Sequence, residues 1–319
     1  MLTVYPSFYP RFRCAAGNCR HTCCAGWEID IDEETAARYA ALSGDLGDKL
    51  RRFVERDPLP RFILGPGERC PFLTDGDLCE LILRGGEDLL CQICRDHPRH
   101  RSFLPGRTEV GLGLCCEAAG RLILTDPEPV FLLTEGTEDP EDEAAAALIR
   151  LRDRALVLAS DRRLPLRERM ERVTALCGGG MPGGTAGRWA DFCLGLERLD
   201  EGWTDILLRL RDRGDAADRE GFRRYMTGRE QEYEKLFWYF LYRHLLSAYE
   251  DGDPAGKAAF AALSTRLLFL LGALHWEAHG FLTVEDQIEY ARMYSSEIEY
   301  SEENLDAFFD ELWGGTWND

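Results

Sequence analysis

The chain has 319 residues, 45% of them hydrophobic, which is enough for one large domain or two ordinary ones. Its amino-terminal segment lacks the pattern of a signal peptide, and no apolar run approaches the roughly 18 residues that a membrane span requires. These features lead us to expect a cytoplasmic protein that does not bind membrane. The formal charge of −19 repels nucleic-acid phosphates and attracts cationic partners, so we expect no binding to nucleic acid.

Residues 1–134 are typical of a loop-rich module with mixed secondary structure. Asp32, followed by two glutamates, predicts the start of a helix, because aspartate caps helices and acids favour the first turn. Short apolar runs at 110–114 and 122–124 predict two strands that could pair. The acidic stretch 135–143 predicts a linker, so we place a domain boundary at its start.

Residues 135–319 are predicted to form a bundle of six or more helices, because apolar residues recur there at the spacing of one helix face. These stripes contain Leu148, Leu151, Ala155 and Leu158; Leu166, Met170, Val173 and Leu176; Trp189, Phe192, Cys193 and Leu196; Tyr233, Leu236, Phe237, Phe240 and Leu241; Phe260, Leu263, Leu267, Leu271 and Leu274; and Leu305, Phe308, Phe309, Leu312 and Trp313. Cys177 and Cys193 are expected in the core. The predicted fold class is mainly α: a cysteine-rich, loop-rich α+β module with short strands, followed by a helical bundle.

The cysteines are the strongest chemical signal, since ten of the twelve fall within residues 1–116. A chain of this length needs no disulfide to hold a core, and cytoplasmic thiols stay reduced, so clustered cysteines favour metal binding. Four thiolates suit either tetrahedral zinc or an iron–sulfur cluster. The candidate ligands are Cys14, Cys19, Cys23, Cys24, Cys70, Cys79, Cys91, Cys94 and Cys116.

The spacing of these cysteines leaves the ligand set open. Cys91 and Cys94 form a C-x2-C pair, whereas a zinc ribbon has two such pairs. The adjacent Cys23 and Cys24 tend to point apart, so they are not expected to ligate the same atom. Nine candidates exceed the four positions of one site, and the sequence does not select among them.

These motifs, taken in order, resemble the flagellin lysine-N-methylase family. The proximal motifs are Tyr9-Pro10-Arg11-Phe12-Arg13-Cys14, Cys23-Cys24-Ala25-Gly26-Trp27, Cys70-Pro71-Phe72-Leu73, Asp88-Leu89-Leu90-Cys91 and Leu114-Cys115-Cys116-Glu117, and the distal ones are Tyr239-Phe240-Leu241-Tyr242-Arg243-His244 and Tyr294-Ser295-Ser296-Glu297-Ile298-Glu299-Tyr300. The cysteine half is also similar to a broader class of zinc- or iron-chelating proteins. This chain departs from the family pattern at His97, where an aromatic residue is usual, and at Cys115, which is an additional cysteine.

The resemblance implies an enzyme that transfers a methyl group from S-adenosylmethionine (SAM) to surface lysines of flagellin before export. It also implies a 4Fe–4S cluster, with zinc as the alternative metal. The sequence lacks a strand followed by G-x-G-x-x-G and a helix, so we expect a SAM site outside the Rossmann class. The competing hypothesis is a zinc- or iron–sulfur-binding protein without catalysis, serving a structural or redox role.

The proposed reaction requires a neutral lysine amine, although a free lysine has a pKa of about 10.4. A site must therefore take the proton of the ammonium group or lower its pKa by burial. We predict that Glu297 and Glu299 share one face of an extended turn between helices and line the path of the lysine. Tyr294, or alternatively Tyr300, is expected to form an aromatic wall. The alternative is that both glutamates are solvated acids at a helix end.

The second distal motif suggests a cofactor contact. Arg243 and His244 follow the apolar stripe of their helix, and we predict that they bind the carboxylate of SAM. The alternative for Arg243 is a structural ion pair with a carboxylate of the C-terminal helices.

Overall fold

The structure is a computed structural model that describes residues 1–137 and 142–315, so residues 138–141 of the predicted linker lie outside the described residues. The helices are α1 (Glu33–Ala41), α2 (Gly44–Phe53), α3 (Glu80–Gly85), α4 (Gln92–Asp96), α5 (Glu117–Thr125), α6 (Glu143–Ala159), α7 (Leu166–Leu176), α8 (Ala186–Gly195), α9 (Glu201–Arg213), α10 (Arg219–Tyr225), α11 (Gln231–His244), α12 (Ala248–Asp251), α13 (Pro254–His279), α14 (Val284–Tyr294) and α15 (Glu302–Glu311). The strands are β1 (Leu2–Pro6), β2 (Val54–Glu55), β3 (Arg61–Phe62), β4 (Arg99–Leu104), β5 (Arg107–Leu112) and β6 (Leu132–Gly136). The fold is mainly α, which confirms the predicted class.

The chain divides into two compact units. The cysteine-rich unit comprises residues 13–99 and 116–118, and the helical unit comprises residues 1–12, 100–115 and 119–319. All nine candidate ligands lie in the cysteine-rich unit, whereas the other three cysteines lie in the helical unit. This division differs from the boundary that we place at residue 135.

The sheet explains why the amino terminus belongs to the helical unit. Its strand order is β4-β5-β1-β6, with β1 parallel to β5 and antiparallel to β6. Every residue of β5 is buried, as expected for a strand covered on both faces. Because these pairings join residues distant in sequence, a boundary drawn from local composition misses them.

The cysteine-rich unit is organised by the cap of its first helix. Asp32 accepts a hydrogen bond from the Thr35 N–H at 2.9 Å, which confirms the predicted helix start. The second carboxylate oxygen of Asp32 accepts from the Gln92 N–H, also at 2.9 Å, and so ties α1 to α4. The core beneath is apolar and contains Ile29, Ile31, Tyr39, Leu50, Phe62, Phe72, Leu81 and Cys91.

The prediction of a strand at residues 122–124 is wrong, because these residues lie in α5. Within this helix Ile123 and Leu124 are buried, so a short apolar run that looked like a strand is one buried side of a helix. Periodicity alone does not separate the two states over so few residues. The apolar run at 110–114 lies in and just after β5, so the strand there is confirmed.

The helices predicted from apolar stripes are present in the helical unit. Cys177 and Cys193 are buried, as expected, and burial raises the pKa of each thiol to about 12. The long central helix α13 is apolar enough to cross a membrane by length and composition, unlike our expectation from the sequence. In the structure 78% of its most apolar window is buried, so packing within the unit accounts for its hydropathy.

Helix α14 ends in a π-helical turn, Ser295–Glu299. The Tyr300 N–H donates to the Ser295 carbonyl at 3.2 Å, five residues back, as this geometry requires. The prediction of an extended turn at Glu297 and Glu299 is therefore wrong. In a wide helical turn, residues two apart point in different directions, so the two glutamates do not share a face.

Candidate functional site

Both distal sequence motifs contribute residues to one buried group of polar side chains, which we call the Glu299 cluster. It contains Glu299, His244, Arg243, Tyr239, Tyr300, His100 and Cys115, all in the helical unit. Helix α11 supplies three of these residues, and the π-helical turn with the residue after it supplies two. The remaining two come from β4 and from the segment that follows β5.

Glu299 is the centre of this cluster, and its side chain has no exposed surface. Its carboxylate accepts from His244 Nε2 at 2.7 Å and from the Tyr239 hydroxyl at 3.0 Å, and Arg243 Nε lies 3.3 Å away. Burial alone would raise the pKa of Glu299, but Arg243 and His244 hold it below its ordinary value. The carboxylate is therefore ionised at neutral pH.

His244 is the neutral partner of this carboxylate. Burial lowers the pKa of His244 below its ordinary value, although the Glu299 carboxylate opposes this shift. Because an ionised carboxylate only accepts hydrogen bonds, Nε2 of His244 carries the hydrogen. The ring is fixed by Phe260 and Phe309, whose centroids lie 5.0 and 6.0 Å from it. A carboxylate that holds a neutral imidazole in one orientation is a common arrangement in acid–base catalysis.

Tyr300 forms the boundary between this cluster and solvent. The residue is 45% exposed, and the Arg243 guanidinium lies 4.8 Å from its ring centroid. Its hydroxyl points inward and interacts with the Cys115 thiol. The close approach depends on Gly113, since a Cβ there would lie 2.2 Å from the Tyr300 oxygen. Packing against Tyr300 therefore explains the glycine at position 113.

His100 brings a second imidazole to the cluster. Burial lowers the pKa of His100 well below its ordinary value, and Arg243 and His244 lower it further. Its Nε2 is buried and has no hydrogen-bond partner within the described ranges 1–137 and 142–315. A Cβ on Gly111 would lie 2.2 Å from this nitrogen, so the strand accommodates the ring only because glycine stands there.

The structure brings together three of the five residues that we predict for catalysis and cofactor binding: Glu299, Arg243 and His244. Arg243 pairs with a carboxylate near the C-terminal helices, which is the alternative we gave for it. The roles of these three residues in catalysis or SAM binding stay predictions.

The other two predicted residues lie in separate surroundings. Glu297 accepts from the backbone N–H groups of Leu199 and Asp200 at 3.0 and 2.8 Å and so fixes the segment before α9. Burial raises the pKa of Glu297 despite these hydrogen bonds. The Tyr294 hydroxyl is buried and lies 2.7 Å from the Ser264 hydroxyl. Their predicted roles stay untested, but neither side chain reaches the surface.

Three members of the cluster were not predicted from the sequence. Tyr239 precedes Arg243 by one helical turn, and this i, i+4 spacing is a signal that could have identified it. His100 and Cys115 carry no such signal. His100 lies in β4 and Cys115 follows β5, so their positions in the cluster depend on the sheet and not on a helical spacing.

In the cysteine-rich unit, Cys94 lies near several other thiols. A hydrogen bond to Cys91, together with burial, raises the pKa of Cys94, and the nearby thiols of Cys24 and Cys70 raise it further. The same hydrogen bond lowers the pKa of Cys91. A C-x2-C pair with two further thiols close by is a suitable donor set for a soft metal.

A short hairpin presents two more cysteines near this pair. The Thr74 N–H donates to the Leu78 carbonyl at 2.9 Å, which closes the turn between Cys70 and Cys79. Burial raises the pKa of Cys70 to about 11, and it also raises the pKa of Cys79. Cys79 also lies close enough to Cys23 and Cys91 for those thiols to raise its pKa.

Cys23 lies beside this group, because a hydrogen bond with Cys24 raises the pKa of Cys23. Cys14 and Cys23 are exposed, and Cys116 is partly exposed. Cys19 is surrounded by Glu117 as well as by Cys14 and Cys23, and burial followed by these neighbours raises its pKa.

The donor chemistry of this unit fits a thiolate-bound zinc or iron–sulfur group, because several buried thiols are close to one another. Among residues 1–137 and 142–315, however, no three His, Cys, Asp or Glu side chains converge in the arrangement of a metal site. The geometry therefore supports the chemical type of the site and leaves its ligands to experiment.

Comparison with known proteins identifies the distal part of the chain. Residues 191–319 match the model of the FliB lysine N-methylase C-terminal domain. This segment includes α11 and the π-helical turn, and hence five of the seven residues of the Glu299 cluster. The resemblance predicted from the distal motifs is thus confirmed, and the part carried by the cysteine half stays a prediction.

Individual relatives agree with this match. A lysine-N-methylase of Salmonella typhimurium strain LT2 is 29% identical over 138 residues, which cover 40% of this chain and 33% of that protein. The flagellar biosynthetic protein FliU of Salmonella muenchen is 28% identical over 138 residues, 40% of this chain and 79% of FliU. The similarity therefore spans about a third of the Salmonella lysine-N-methylase. No solved structure matches the chain.

Proposed function

We propose that this chain is a SAM-dependent methyltransferase that modifies lysines of flagellin in the cytoplasm before export, because residues 191–319 match the model of the FliB lysine N-methylase C-terminal domain. The flagellar substrate is suggested by the name of the relative FliU. The observation that best supports catalysis is the ionised Glu299 paired with a neutral His244, in a cluster that also contains Tyr300, a residue that is 45% exposed.

The residues of the cluster account for the proton that must leave the lysine. The hydrocarbon part of a lysine side chain would lie against the exposed surface of Tyr300, which brings its ammonium group towards Glu299. The Glu299–His244 pair would accept one proton, and Arg243 keeps the carboxylate ionised until then. This arrangement makes the neutral amine available in a site from which water is largely excluded.

Bound SAM supplies an electrophilic methyl group. The lone pair of the amine would form the new N–C bond, while the electron pair of the breaking S–C bond remains on sulfur. The methylated ammonium group keeps its two remaining protons, so that one proton is released in this first methyl transfer. Among the described residues, the four-stranded sheet is not the doubly wound sheet of Rossmann enzymes, which agrees with the absence of their glycine motif.

For the metal group we propose Cys24, Cys70, Cys91 and Cys94 as ligands of a 4Fe–4S cluster, with zinc as the second candidate. The support is that the thiols of Cys91, Cys24 and Cys70 all lie near enough to Cys94 to raise its pKa. Such a set would supply four soft thiolates from three separate segments of the cysteine-rich unit.

The test is transfer of an isotopically labelled methyl group from SAM to purified flagellin, read by mass spectrometry of its lysines. We expect label on flagellin and none on flagellin whose amines were blocked beforehand. We expect little label on the chain itself, because it contains only three lysines. Lys235 and Lys257 are buried, and Lys49 is paired with Glu80. Absence of label with metal-loaded, anaerobically purified protein would contradict the proposal and favour a non-catalytic metal module.

A further inference from the structure

Lys235 on α11 is a buried basic residue that does not belong to the Glu299 cluster. The residue is 2% exposed, and its Nζ has no hydrogen-bond partner in the part of the chain that the structure describes. A buried ammonium group without a partner is unfavourable, which is why charged side chains are rarely found in this state. Burial lowers the pKa of Lys235 accordingly.

The acids near Lys235 are already paired with arginines. Asp126 forms an ion pair with Arg11. Glu234 accepts from Arg162 Nη2 at 2.9 Å and from Arg169 Nη1 at 2.7 Å. The local group therefore contains four basic side chains and two acidic ones, although the whole chain has a net charge of −19.

Two of these arginines are partly exposed to solvent. The side chain of Arg162 is 47% exposed and that of Arg11 is 51% exposed, whereas Asp126 and Glu234 are buried. Arg169 is buried, and its Nε, like Lys235 Nζ, has no hydrogen-bond partner within the described ranges. The group therefore combines two buried, unsatisfied donors with two arginines that are about half exposed to solvent.

We propose that Lys235, Arg162 and Arg169 bind a small anionic group, a carboxylate or a phosphate. An anion there would satisfy the two orphaned donors and balance the surplus of positive charge. The position is also suitable for a ligand of the Glu299 cluster, because Lys235 precedes Tyr239 by four residues on α11. Side chains at this spacing lie on the same face, about 6 Å apart along the helix axis.

The carboxylate could belong to the amino-acid part of SAM, or the anion could be free phosphate, and the test separates these sources. Isothermal titration of the full-length protein would use three probes: S-adenosylhomocysteine, 5′-methylthioadenosine, which lacks the amino-acid carboxylate, and inorganic phosphate. In Lys235→Met we expect a loss of about tenfold or more in affinity for the anionic probe that binds, and unchanged affinity for 5′-methylthioadenosine.

Lys257→Met is the matched control. Lys257 is also 2% exposed, but its Nζ is 2.7 Å from an Asp251 oxygen, so its charge is satisfied. This variant should keep the affinity for the anionic probe of the wild type. The half-exposed Arg162→Met provides a second, fold-tolerant variant that should weaken binding in the same direction as Lys235→Met.

Tight S-adenosylhomocysteine binding that depends on Lys235 would assign the anion to the cofactor, and Lys235-dependent phosphate binding alone would assign it to free phosphate. Equal affinity of the wild type and Lys235→Met for both anions, or no binding of either anion to the wild type, would overturn the proposal. Neither readout involves methyl transfer, so this site and the proposed activity can fail independently.

Discussion

The two units of this protein present their chemical groups in different ways. In the helical unit, two donors and a guanidinium converge on one carboxylate within 3.3 Å. In the cysteine-rich unit, the thiols are neighbours but no three potential ligands among the described residues converge. A buried charge must be satisfied by the protein as it folds, whereas neutral thiols become strong ligands only when a metal displaces their protons. We therefore expect the first site to be preformed and the second to depend on its metal.

The largest effect that would sharpen this contrast is expected at the cysteines. Cys91→Ala and Cys94→Ala should each abolish retention of the metal, because each removes one of the four proposed ligands and breaks the hydrogen-bonded pair. Iron, zinc and sulfide analysis with a visible spectrum of anaerobically purified protein provides the measurement.

Cys177→Ala and Cys193→Ala are the controls for this experiment, since both residues are buried in the helical unit. They should retain the wild-type metal content, with only the cost of a small cavity. Full metal retention in Cys94→Ala would remove the C-x2-C pair from the site.

The next effect concerns the packing of the Glu299 cluster. Gly113→Ala places a Cβ 2.2 Å from the Tyr300 hydroxyl oxygen, so the ring must move away from Arg243. Displacements of about 1 Å near reacting groups can lower turnover about 100-fold, and we expect a loss of methyl transfer of this order. Overpacking should also lower the free energy of unfolding by about 1–3 kcal/mol.

Gly195→Ala is the matched substitution. Gly195 ends α8, and a Cβ there would have no neighbour within 4 Å among the described atoms. Wild-type rates in both glycine variants would show that Tyr300 does not border the reacting groups.

The smallest effect is a dependence of stability on pH in the helical unit. The pKa values of His100 and His244 are lowered by burial, so the unfolded chain binds protons that the folded unit excludes. Stability should be constant above the ordinary histidine pKa of about 6.5 and should fall as the pH decreases below it. Each histidine contributes about 1.4 kcal/mol per pH unit until its folded pKa is reached.

Chemical denaturation between pH 7.5 and pH 5 measures this slope. His100→Phe should remove the contribution of His100 alone, because His244 remains buried against Glu299 and burial also lowers the pKa values of His97 and His275. A slope that is the same in His100→Phe and the wild type would show that His100 is protonated in the folded unit.

How far the sequence predicts the structure depends on whether a feature is local. The cap at Asp32, the helical stripes and the buried Cys177 and Cys193 follow from spacing along the chain, and these predictions are confirmed. The strand predicted at residues 122–124 is a helix in the structure. The prediction failed because an apolar run of three residues is compatible with both a strand and a helix.

The same limit on predicting non-local features applies to the residues of the candidate site. Arg243, His244 and Glu299 stand in recognisable motifs, and the pairing of Arg243 with Glu299 matches the alternative given for Arg243, but their convergence in one cluster was not predicted. In the π-helical turn the side chains of Glu297 and Glu299 point in different directions. Sequence patterns for regular helices and strands do not predict such a turn. His100 and Cys115 join the cluster through strand pairing, and pairing between distant segments leaves no periodic signal in the sequence.

The two glutamates of the π-helical turn provide the most direct test of the account. Labelled methyl transfer to flagellin should be compared for Glu299→Gln and Glu297→Gln, at equal concentrations of folded, metal-loaded protein. Because Glu299 is held by His244 and Arg243 whereas Glu297 caps backbone N–H groups, we expect a loss of about 100-fold or more in the first and near-wild-type transfer in the second. Full activity of Glu299→Gln, or an equal loss in both variants, would contradict the placement of catalysis in the Glu299 cluster.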